Sequence, residues 1–243
     1  MQCHRRAPYS LYIDLIRRGF FYGKVWLKEV NRMIFARVFL FLIGLIIFSM
    51  GISIAINVQH LGIHPWDVLS VGLYDHLGLS IGSWNIIIGV LLIIVSLILD
   101  RSYVKIGTFF NAVIVGSFVD LFLWSGILPQ ATHTWVDIII IVIGIVVMGI
   151  GGGMYNAAGI GSGPRDGFML SISDKTGISI GKVRIITETS VLLIGLLIGG
   201  PVFIFTFVFT FIQSPIFQFV YLKFTDYMKQ FEIKLKEQRQ RAM

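Results

Sequence analysis

Seven polar side chains stand out in a mostly apolar chain, because ionisable and amide groups inside lipid are costly and usually have a task. Asp67 and Asp166 occupy matching places in two copies of one segment. Paired carboxylates on two such elements could hold a cation or a proton. As early residues of short helices they could equally serve the helix dipole, and a pairing of Asp166 with Arg165 or Arg184 would make it structural. Asn57 and Asn156 recur in the same way. Asp120, in G-S-F-V-D-L-F-L-W, lies ~22 Å along its helix at 1.5 Å per residue, with Asn111 nearer the start of the same run. Gln213, beside Ser214 and Pro215, falls inside the last apolar run. Proline there removes a backbone hydrogen bond and frees a carbonyl, which could coordinate a solute or be bonded by a neighbouring helix. Arg184 and Glu188 are i, i+4 and are predicted to face each other as an ion pair that fixes helix register.

Other chemistries lack their residues. His60, His64 and His76 share a connection with Asp67 and Asp75. Pro65 disfavours the helix that would align His60 with His64, and the second copy has Gly159, Gly163 and Lys175 at the matching positions. No metal site is expected there. The stretch G-I-G-S-G-P-R lacks the Lys-Ser/Thr of a nucleotide loop and follows an apolar helix rather than a strand, so no cofactor is expected. Cys3 is alone, which rules out an intramolecular disulfide. Without a Ser-His-Asp or Cys-His arrangement, an enzyme is not expected.

The elements that must position these residues follow from composition. The 243 residues are 56% hydrophobic and 14% charged, against about a quarter charged in soluble domains. The apolar residues gather in blocks of about twenty, the length that spans ~30 Å of hydrocarbon. Six helical spans are predicted, at 34–57, 83–99, 106–128, 135–157, 183–199 and 202–222. Helices are required because each satisfies its own backbone hydrogen bonds in lipid, and the strict alternation of a β-barrel strand is not present. A soluble enzyme and a nucleic-acid binder are both excluded, despite a pI of about 9.6.

The 20 Lys and Arg residues divide without exception. They fall in the segment up to Arg37, the second and fourth connections and the C-terminal tail. The first, third and fifth connections hold none. By the positive-inside rule both termini are cytoplasmic. Residues 1–33 read as a basic segment, either an interfacial helix or a cytoplasmic tail, or an upstream extension if translation starts at Met33. Residues 223–243 form a basic tail expected to meet anionic lipid headgroups, at ~1 kcal/mol per near-surface cation.

Sliding the chain along itself by 99 residues aligns 57–82 with 156–181, with nine identities in 26 positions and no gap. The identities include Pro65/Pro164, Asp67/Asp166, Gly78/Gly177 and Gly82/Gly181. Proline fits the first turn of a helix, glycine its left-handed end, and Ser80 or Ser83 the start of the next span. Short helices are therefore predicted at 65–77 and 164–176, interfacial or re-entrant. Each copy holds three spans, an odd number, so the second must enter the membrane the other way up. The fold expected is an all-α membrane protein of two inverted three-helix repeats, 34–128 and 133–222. Secondary transporters use such an architecture.

The pair H-P-W-D-V-L-S-x-G-L and G-x-G-P-R-D-G-x-M, each followed by a G-[LI]-S-I-G turn, resembles the YczE/YyaS/YitT-type group of bacterial integral membrane proteins. The likeness runs from about Arg37 to Leu222 and is nearest to the YczE branch. It implies a multi-pass protein of the bacterial cytoplasmic membrane and brings no catalytic residues. Two functions are expected on these grounds: a small secondary transporter or permease for a small solute or ion, with its site between the repeats, or a non-transporting scaffold or regulatory subunit.

Overall fold

The computed structural model describes residues 9–101 and 104–241 of the chain, and side chains from residue 31 onward except at 180, 181, 210, 239 and 241. Eight α-helices appear among them: α1 Tyr9–Asn57, α2 Pro65–Leu77, α3 Ile81–Leu99, α4 Ile106–Ser125, α5 Val136–Ala157, α6 Pro164–Thr176, α7 Ile180–Leu197 and α8 Ile204–Arg241. A 3-10 turn, Gln59–Leu61, follows α1. Residues 1–8 of the expected basic segment and 242–243 of the expected tail lie outside the described residues.

Local chemistry sets most of these boundaries. Pro65 and Pro164 open α2 and α6. Gly177 closes α6 in the left-handed region, φ 71° and ψ 6°. Gly78 differs from that expectation: its φ is also positive, but ψ is −150°, and Leu79 takes the next positive φ at 63°. Ser80 caps α3, accepting from the backbone N–H of Ser83 at 3.1 Å. The last glycine pair of the duplication, Gly82 and Gly181, falls in the first turn of α3 and of α7. Gly82 is buried against Gly116 and Asp120 of α4. The surroundings of Gly181 lie outside the described residues, so the expected equivalence of this pair extends to helix position alone. The third apolar run stops at Ser125 rather than 128 because Gly126 turns left-handed, with φ 64°. α8 does not break at Pro215; it runs on through the basic tail. The tail is rich in Lys, Glu, Gln and Arg, all good helix formers, and has no stop signal.

Among the described residues, five helical stretches are long and apolar enough to cross a membrane: Asn31–Asn57, Ile81–Leu99, Ile106–Ser125, Val136–Ala157 and Ile204–Gln238. α7, the fifth span expected from sequence, is not among them and carries Lys182, Arg184 and Glu188. The surface is apolar in the manner of a lipid-facing bundle. Ile98, Ile106, Phe110, Ile138, Leu193 and Phe207 point outward.

At the centre α1 and α5 cross antiparallel. Gly44 lies against Gly151 and Tyr155, and Gly51 against Gly144 and Met148. A Cβ at Gly51 would stand 2.6 Å from the Met148 backbone nitrogen, so only glycine allows this approach. Leu45, Ile52, Ile141, Ile145 and Met148 fill the seam and are fully buried. A second face of α5, at Gly149 and Gly153, receives Ile216 and Val220 of α8. α2 packs on α7 through Val68 and Leu69 against Gly195, while Pro164 of α6 meets Gly89 of α3. Each short helix thus rests on the long helix that follows the other one.

Candidate functional site

Where the two short helices begin, the bundle encloses a cavity of about 370 Å³. Its wall comes from α1, α3, α4, α5, α7, α8 and the N-terminal turns of α2 and α6. Five pairs of lining positions are 99 residues apart: His64/Gly163, Trp66/Arg165, Asn85/Arg184, Gly89/Glu188 and Val115/Ser214. Matching positions of the duplicated segment and of the two helices after it therefore face one space.

The charged groups interlock across the two copies. Arg165 Nη2 donates to Asn85 Oδ1 at 2.7 Å and to Asp67 Oδ1 at 3.3 Å. Its guanidinium carbon lies 5.3 Å from the centre of the Trp66 ring, within reach of a cation–π attraction. Trp66 and Arg165 stand at the same place in the duplicated segment, so equivalent residues meet. Arg184, at the place matching Asn85, donates to Asp166 Oδ1 at 3.2 Å. Glu188 lines the cavity one helical turn further along.

Burial differs sharply between the two acids. Asp67 is sealed behind Arg165, with 1% of its side chain exposed; Asp166 is 29% open to the cavity. Burial pushes the Asp67 carboxyl above the usual carboxylate range, opposed by the adjacent Arg165. His64 caps α2 by accepting from Trp66 N–H through Nδ1 at 3.4 Å. Burial, with the guanidiniums of Arg165 and Arg184, holds His64 well below its ordinary value, keeping that nitrogen free to accept.

Three buried polar atoms here lack a hydrogen-bond partner among the described residues: Trp66 Nε1, Asn111 Nδ2 and Asp67 Oδ2. Buried polar groups are nearly always satisfied; these three atoms are shielded from the cavity space rather than open to it.

Of the seven expected site residues, Asp166, Asn111 and Gln213 line the cavity, and Asp67 stands behind Arg165. The other three are engaged elsewhere. Asp120 accepts from Gly82 N–H at 2.7 Å and from the Ser80 hydroxyl, which makes it a cap for α3. Asn57 donates to the Pro129 carbonyl at 2.9 Å, and Asn156 to Gly152 within its own helix at 3.0 Å. Sequence reasoning misses Arg165, Asn85, Trp66 and Tyr155 as wall residues. The signal for Arg165 is its contrast with Trp66 inside otherwise matching P-x-D segments.

Residues 35–222 match a family described as "Family of unknown function (DUF6198)". The chain belongs to this family. The matched stretch takes in every residue lining the cavity. It leaves out the first part of α1 and the end of α8. The "Uncharacterized membrane protein YczE" of Bacillus subtilis is 40% identical over 159 residues, covering 65% of this chain and 73% of the relative. The "Uncharacterized protein YyaS" of the same organism is 32% identical over 163 residues, 66% of this chain and 80% of the relative. An "Uncharacterized protein" of Haemophilus influenzae is 33% identical over 159 residues, 65% and 72% of the two chains. No solved structure matches the chain. With its apolar helices and these relatives, the family member described here is a membrane protein.

Proposed function

We propose that this protein is a small secondary transporter or permease of the bacterial cytoplasmic membrane, with both termini cytoplasmic, built from two inverted three-helix halves. The observation that carries the reading is the cavity itself, a largely apolar space into which charged and polar groups project, lined by matching positions of both halves. Its volume lies within the ~300–1,000 Å³ range of small-molecule sites. Three features support the architecture. α1 and α5, the first helix of each half, cross antiparallel. The bounds of α2 and α6 recur at one offset. α7 serves as the fifth of the six spans: Arg184 and Glu188 face the cavity, while Ile185, Ile186, Leu193 and Leu197 form an exposed apolar outer face. Charges turned inward in this way need not meet lipid.

The solute carries hydrogen-bond acceptors, since the wall offers the two guanidiniums of Arg165 and Arg184. The test is thermal unfolding of the purified protein in detergent against a panel of ions and metabolites, followed by uptake of each hit into proteoliposomes. A ligand at 100 times its Kd should stabilise by ~2.7 kcal/mol. Arg184→Gln, which takes one guanidinium off the wall, should lose much of that response. A hit that stabilises without being taken up would replace this reading with a non-transporting, ligand-sensing subunit. A panel without any hit would overturn it.

A further inference from the structure

A second constellation lies away from the cavity, where the turn after α1 meets the connection between α4 and α5. His60 Nε2 stands 3.2 Å from Asp137 Oδ2. The His60 and His133 rings are 4.7 Å apart and tilted by 40°. One ligand atom from each of the three residues lies within 4.8 Å of the other two. We propose that His60, His133 and Asp137 bind one divalent transition-metal ion of the zinc class, with water completing the coordination.

The donor set fits that class. Two borderline imidazoles with one hard carboxylate form a set that Zn(II) accepts, and a site of three protein ligands keeps an open position. Tetrahedral ligands at ~2.0–2.1 Å stand roughly 3.3 Å apart. His60 and Asp137 are already at that spacing, and a rotamer adjustment of the exposed His133 ring closes the third edge. The metal would stand between His60 Nε2 and Asp137 Oδ2, the pair now 3.2 Å apart.

The carboxylate is prepared as ligating carboxylates are, by its own hydrogen bonds. Asp137 is fully buried. Its Oδ1 accepts from Thr132 N–H at 2.8 Å and from the Thr132 hydroxyl at 2.7 Å. Its Oδ2 accepts from His133 N–H at 2.8 Å, leaving one lone pair directed at His60. His133 holds a left-handed backbone, φ 53°. A non-glycine residue takes that conformation only where its surroundings impose it. Here the hydrogen bond to Asp137 folds the loop so that both histidines stand over one buried carboxylate. The bound ion would tie the α1–α2 connection to the α4–α5 connection.

The experiment uses the full chain, purified without a histidine tag, stripped with chelator and titrated with Zn(II) against a chromogenic competitor. The parent should bind one equivalent and gain melting temperature with it. His60→Gln and His133→Asn should each bind at least about tenfold more weakly, a loss seen even for partners one shell further out. Asparagine tolerates φ near 53°, so both variants should melt like the metal-free parent. Co(II) in place of Zn(II) should give visible absorption characteristic of four-coordination in the parent alone. Absence of stoichiometric binding, or equal affinity in the parent and both variants, would overturn the site.

Discussion

Removing one charge of the cross-copy pair should reveal how differently its two members are buried. Asp67 is 1% exposed and Arg165 is 21% exposed, open to the cavity. Arg165→Met strands a carboxylate that water cannot reach. Breaking a buried pair in this way typically costs 3–5 kcal/mol, and the partial exposure of Arg165 places the loss near about 3. Asp67→Asn strands instead a guanidinium that still touches cavity water and keeps Asn85, so about 1 kcal/mol is expected. The double variant Asp67→Asn/Arg165→Met carries no charge and should recover most of the loss. The stranded carboxyl also sets a pH dependence. Burial already raises its pKa in the parent, and losing the guanidinium raises it further. A carboxyl that binds protons more tightly folded than unfolded makes stability fall as pH rises between its two pKa values, by about 1.4 kcal/mol per unit. Lowering the pH from 7 to 5 should therefore raise the melting temperature of Arg165→Met relative to the parent and leave the double variant unmoved. The assay is thermal unfolding in detergent at one scan rate across pH. An Arg165→Met protein that melts with the parent at pH 7, or a double variant no better than Arg165→Met, would refute the reasoning.

Two further substitutions separate architecture from site. Gly51→Leu drives a side chain into the Met148 backbone at the α1–α5 crossing and should destabilise by at least about 3 kcal/mol, the upper end of overpacking, read as loss of monodisperse protein on size exclusion. Asp120→Asn weakens the charged cap of α3 and should lower stability by about 1 kcal/mol, while any ligand-induced rise in melting temperature stays at the parental size.

Much of the element pattern is legible in residues that act locally. Pro65, Pro164 and Gly177 fix a helix end through their own backbone chemistry and Ser80 through its hydroxyl, and those ends lie where expected. What escapes a linear reading is set by neighbours distant in sequence. Asp120 reads as a deep ionisable group because nothing in G-S-F-V-D-L-F-L-W reveals that Gly82 and Ser80 come to meet it across the α3–α4 contact. Arg165 reads as a neighbour for Asp166, yet helical geometry turns adjacent residues apart, and it reaches Asp67 of the other copy. Spacing along the chain compares His60 with histidines of its own connection, whereas its partners come from the next connection but one.

The unbroken α8 alters what its cations can do. At 1.5 Å per residue its 38 residues extend about 57 Å, nearly twice the hydrocarbon thickness. If Leu222 marks the water boundary and the helix stands upright, Lys229 is about 10 Å beyond it and Lys236 about 21 Å. The Debye length in physiological salt is about 8 Å. Lys223 then feels the charge of the lipid and Lys229 lies just past the screening length, while Lys236 is screened and pairs with Glu232 at 2.9 Å instead. Glu232 in turn lies 3.8 Å from Arg37 of α1. The outer part of the basic tail is thus electrostatically decoupled from the bilayer unless the helix bends over, and its charge is presented to the aqueous phase.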